Sequence, residues 1–66
     1  MRIETSEIWL TLSGELVKII HISSAYKTSH PVGAVNGRNV LLQYKTDGTY
    51  IDENHKHPLD LIERVQ

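Results

Sequence analysis

Between residues 38 and 52 apolar side chains recur at every second position, Val40, Leu42 and Tyr44, followed by Asp47-Gly48 and then Thr49, Tyr50 and Ile51. Period-two spacing places one row of side chains on one face of a pleat, and Asp-Gly supplies the positive φ that a tight strand reversal needs. The stretch predicts a β-hairpin, and the rest of the chain is placed against it. It constrains the fold class and not the activity, because small β domains carry unrelated functions on their loops.

The chain has 66 residues and no cysteine. One domain is expected over residues 1–66, with a thin core, since chains of this size bury only about 60% of the surface they expose when unfolded. Disulfides, thiolate zinc sites and cysteine nucleophiles are excluded. No apolar run approaches the roughly 18 residues of a membrane span, and the start lacks the apolar segment of a signal peptide. A cytoplasmic location away from membranes is the expectation.

Net charge is −1, which argues against a surface dominated by phosphate binding. Its distribution is uneven. From residue 16 to residue 45 the chain carries Lys18, Lys27, Arg38 and Lys45, with His21 and His30 and no acid, while both flanks are acidic.

Taken in order, residues 7–12 form an apolar, β-favouring run stopped by Ser13-Gly14, and a strand is expected there. Ile8, Leu10 and Leu12 share one parity and Trp9 the other, so Trp9 is expected either to cap an end of the core or to face a partner. A second strand is expected over residues 16–23. Val17 and Ile19 share one face and Ile20 and Ile22 the other, so a bulge near Ile20 or His21 is expected to bend the strand and turn the later side chains inward. Histidine at such a bend reads as a structural residue.

Residues 24–39 are long for a connector in so small a domain, and long connectors are where binding sites concentrate. This one holds Tyr26, Lys27, His30-Pro31, Gly33 and Asn36-Gly37-Arg38. Asn36-Gly37 is a second hairpin signal, which allows residues 32–35 to fold back on residues 38–42 as an extra strand and shortens the loop to residues 24–31. Near the end, Pro58 introduces Leu59, Leu61, Ile62 and Val65. A short helix fits their spacing. A 3₁₀ turn over residues 58–61 leading into a last strand over residues 62–65 fits as well, and is preferred because so short a helix is marginal and an open sheet edge needs cover.

The order of these signals, Trp9 and Gly14, a bent strand bearing Val17, Ile19 and Ile22, a variable loop, then VLLQYKTDG and the terminal PLDLIERV, resembles small SH3-like barrel proteins. These include the Tudor and KOW types and the short barrels common in bacteriophage and prophage genomes. The resemblance spans residues 7–66 and rests on generic β signals in a suggestive order. It implies an all-β, five-stranded, strongly bent antiparallel barrel that binds peptides, proteins or nucleic acid through its loops. The chain lacks the acidic and aromatic loop of the proline-peptide binders and the clustered aromatic residues of a methyl-lysine cage.

Among constellations that carry chemistry, His55-Lys56-His57 with Asp52 and Glu53 is the most conspicuous. In an extended segment the two imidazoles point the same way and could share a metal. A lone H-x-H beside a lysine is a weak signal, so a solvated turn without metal or other cofactor is expected. No nucleophile elbow, no paired carboxylates in an apolar context and no phosphate-cradling glycine loop is present. The expected role is therefore non-catalytic: a module docking on a protein partner, of the adaptor or inhibitor kind found in phage and prophage, with contacts at Trp9, Tyr26, Lys27, His30 and Arg38. The alternative is a nucleic-acid-binding barrel in which Lys18, Lys27, Arg38 and Lys45 meet phosphates and Tyr26 or Tyr44 stacks on a base. Either a monomer or a weak homo-oligomer fits a core this thin.

Overall fold

A computed structural model describes residues 2–24 and 28–66. Five strands, β1 (Ile8–Thr11), β2 (Leu16–Ile22), β3 (Val32–Asn36), β4 (Leu41–Tyr44) and β5 (Leu61–Arg64), form one antiparallel sheet in the order β4-β3-β2-β1-β5. The chain is thus all-β, with no helix among the described residues, and β4 and β5 are the sheet's two edges. Its core is Trp9, Val17, Ile19, Val32, Ala34, Leu42, Tyr44 and Leu61, with Ile3, Tyr50 and Leu59 packed against it.

The first two strands match the sequence reading with one inversion. Ser13-Gly14 turns the chain between them, Gly14 adopting a φ of 94° and donating its N–H to Thr11 O at 2.9 Å. In β1, however, Trp9 and Thr11 face the core while Leu12 is exposed. Trp9 wins the inward position because its ring offers the largest apolar area and its one polar atom is satisfied there: Nε1–H donates to Glu7 Oε1 at 3.0 Å. Thr11 can be buried beside it because its hydroxyl contacts Ser13 Oγ at 3.1 Å and accepts the Glu15 N–H at 3.0 Å. In β2 the pairing with β3 shifts register between Ile19 and His21, so the expected bulge is present with Ile20 as the extra residue. The bulge brings Ile22 opposite the buried Val32, onto the core face, as the sequence reading expects. Ile22 stays 37% exposed there and Ile20, the bulged residue, is exposed as well, so Val17 and Ile19 are the strand's buried side chains.

The largest departure concerns the hairpin around Asp47-Gly48. The reversal itself forms: Gly48 has a φ of 87° and donates to Lys45 O at 2.9 Å, and the Asp47 carboxylate accepts both the Thr49 N–H (2.9 Å) and the Thr49 hydroxyl (2.6 Å). Beyond the bond from Lys45 N–H to Thr49 O (3.0 Å) no ladder forms, and residues 49–51 are not a strand. Where the ladder stops, the Tyr50 backbone is anchored to other elements. Its N–H donates to Asp60 Oδ1 at 2.8 Å, and its carbonyl oxygen lies 2.8 Å from His30 Nε2.

The working hairpin is the one at Asn36-Gly37, which joins β3 to β4. Positive φ falls at Asn39 (61°) and not at Gly37, while the Asn36 side-chain oxygen accepts the N–H groups of Arg38 (2.9 Å) and Val40 (3.0 Å). At the far end, the turn after Pro58 closes with Asp60 N–H on His57 O at 2.9 Å, and β5 then pairs with β1. Turn plus strand, not helix, is the arrangement.

Candidate binding surface

In an antiparallel pair, residues alternate between bonding to the neighbouring strand and pointing their backbone away from it. The bond from Asn36 N–H to Val40 O (3.2 Å) fixes the phase. Leu42, opposite Ala34, and Tyr44, opposite Val32, bond to β3, so Leu41 and Gln43 direct their N–H and C=O groups outward from the edge. The splayed turn makes that edge reachable. Where a hairpin partner would have lain, the chain instead leaves a cleft of about 460 Å³ lined by His30, Leu41, Gln43 and Tyr50.

Each wall of the cleft is fixed from behind. Tyr50 packs edge-on against the buried Tyr44 ring, with centroids 5.6 Å apart, and lies 4.6 Å from the His57 ring. Asp60 clamps the segment with two acceptances, from Tyr50 N–H and from His57 N–H at 3.0 Å. His30 is held through both ring nitrogens, Nδ1 being 2.8 Å from Ser29 Oγ and Nε2 2.8 Å from Tyr50 O. Burial pushes the Tyr44 phenol well above its ordinary value, with smaller contributions from the nearby Tyr50, Glu15 and Asp60 charges, so it stays neutral. The cleft thus has an apolar edge, an amide, an imidazole and a phenol ring, with outward backbone groups alongside.

The residues singled out from sequence fall in separate places. His30 lines the cleft. Arg38 stands at the tip of the β3–β4 hairpin, at its opposite end, with its guanidinium 3.6 Å from Glu15. Trp9 is in the core, only 5% exposed, so its ring takes the packed role and not the partner-facing one. Tyr26 and Lys27 lie outside the described residues. Lys18 points from the face opposite the core, paired across to Ile8 and Val35. Sequence reasoning missed Leu41, Gln43 and Tyr50 as surface formers. The signal for them was the absence of any charge or proline in LLQY, an unusual composition for a strand at an edge.

His55 and His57 are engaged apart from each other. The first has Nδ1 2.7 Å from Asp52 Oδ1, and the second accepts the Leu59 N–H on Nδ1 at 3.0 Å. Among the described residues no group of three or more His, Asp or Glu side chains is arranged to hold a metal. Comparison with protein-family models, curated proteins and solved structures gives no match.

Proposed function

We propose that this chain is a non-catalytic, cytoplasmic binding module that docks on a protein partner, adding an extended segment of that partner to the free edge of β4. The observation that carries the reading is this edge: four residues without charge, proline or bulge, with outward backbone groups at Leu41 and Gln43 beside an open cleft. The opposite edge differs, since β5 carries Glu63 and Arg64 and its pairing with β1 is irregular at Leu10 and Thr11. Protein is favoured over nucleic acid because the net charge is −1 and the cations of the basic middle segment are not all free for phosphate. Arg38 is engaged by Glu15, and Lys18 sits among apolar neighbours. Support for an SH3-like barrel comes from the return of the last strand to β1 and the bulge in β2, and a phage-type adaptor or inhibitor remains the role that suits so small a scaffold.

The test is capture of a partner from bacterial host lysate by the wild-type chain and by Gln43→Pro. Proline removes an N–H that points away from β3, so the sheet survives while strand addition is blocked. Wild-type capture that Gln43→Pro abolishes, with the melting curve unchanged, is expected. Equal capture by both chains would sink the edge reading.

A further inference from the structure

The face of the sheet opposite the core is apolar in rows. Cross-strand partners share a face, so the register places Leu16, Leu10 and Glu63 in one row and Ile8, Lys18, Val35 and Leu41 in the next. Five of those seven side chains are apolar. Leu16 and Leu41 are 52% and 57% exposed, and a recess of about 220 Å³ opens between Ile8, Leu16, Lys18 and Val35. An antiparallel sheet with one solvated face ordinarily alternates apolar inward with polar outward. Here both faces are apolar, which is the pattern of a sheet covered on both sides.

We propose that this outer face is a homodimer interface, in which two copies stack sheet on sheet and Lys18 of each meets Glu63 of the other. The occupant is argued from charge and size. The patch carries one cation and one anion, so it complements itself without an outside charge, and a net charge of −1 gives two copies little reason to repel. The molecule measures only 29 by 25 by 21 Å between its outermost Cα atoms, so the ~800 Å² per partner of a standard stable interface would take up most of one side. Nearly the whole face is therefore needed, and the dimer is expected to dissociate on dilution. Gln43 lies in the row beyond Leu41 and outside the two apolar rows, so the docking edge and this face are tested by different residues.

Sedimentation equilibrium over a wide concentration range reads the outcome. The 7.5 kDa chain is expected to move from monomer to twice that mass as concentration rises. Leu16→Glu is expected to weaken association about tenfold or more, and Lys18→Glu likewise, while Lys18→Glu combined with Glu63→Lys restores it. Circular dichroism melts of each variant at a dilution where all are monomeric check that the fold is kept. A chain that stays monomeric at several hundred micromolar overturns the proposal, whether the face remains bare or takes another protein. So does a dimer that survives Leu16→Glu, or one that Gln43→Pro dissolves.

Discussion

Tyr44 puts a hydroxyl into the core with no hydrogen-bond partner among the described residues. Leaving a buried polar group unpaired costs about 1–3 kcal/mol, whereas the ring itself is well packed. Tyr44→Phe is therefore expected to stabilise the chain by about 1 kcal/mol in urea melts, and an equal loss would show that the hydroxyl has a partner. Val17→Ala and Ile19→Ala belong to the opposite class, since both side chains are fully enclosed and truncation is expected to cost about 2–4 kcal/mol. Those two positions, with Leu42 and Tyr44, were legible from period-two spacing, although the same spacing also singles out Val40, which lies just before β4 and is 49% exposed. Trp9 was not, because spacing in β1 gives two apolar sets, Ile8 and Leu10 on one side and Trp9 on the other. Choosing between them depends on Glu7 accepting the indole N–H, a pairing that spacing does not reveal.

At the scale of elements, two polar side chains hold the segments on either side of β4. Asn36 holds the β3–β4 turn through the amides of Arg38 and Val40, and Asn36→Ala is expected to cost about 1–2 kcal/mol, seen as a lower urea midpoint. Asp60 acts at a distance in sequence, drawing Tyr50 and His57 to one carboxylate. Asp60→Ala is expected to destabilise by about 2 kcal/mol and to accelerate amide exchange at Tyr50 and His57, the two donors it leaves unpaired. Local pattern identified both turns, because Asn-Gly and Asp-Gly announce reversal regardless of the residues after them. It misplaced the strand after Gly48, because Thr-Tyr-Ile has strand chemistry while the carboxylate that anchors this segment, Asp60, lies ten residues beyond Tyr50. The cleft beside β4 lies where the expected strand does not form, so the sequence reading found only His30 among its walls, the chargeless LLQY being the one further sign it offered.

For the molecule as a whole, acid is the condition that tests the electrostatic design. The Glu4 amide, then the Trp9 indole and Arg64, hold the Glu7 carboxyl below its usual 4.5. The Thr49 hydroxyl and amide do the same for Asp47, and the His55 ring does so for Asp52. A carboxylate whose pKa is lower folded than unfolded contributes stability above its unfolded value and loses it as pH falls through the folded one. Stability is therefore expected to be flat from pH 7 to about 5 on this account and to decline below the ordinary carboxylate values near 4, with Glu7→Gln flattening the decline. Thermal melts from about pH 7 down to about pH 2.5 measure it, and a midpoint that rises on acidification contradicts it.

The ladder between β1 and β5 ends with Ile8 N–H donating to Gln66 O at 2.7 Å and Val65 N–H donating to Ile8 O at 2.7 Å. Residue 66 thus lies beside residue 8; a linker long enough to reach from it to residue 2 would close the backbone into a ring, and cutting that ring at Gly37 would make a circular permutant in which β4 opens the sequence and β3 ends it. Every pairing but one then joins neighbours along the new sequence, and the docking edge hangs from a fresh terminus, where its grip on the rest of the sheet can be weighed directly.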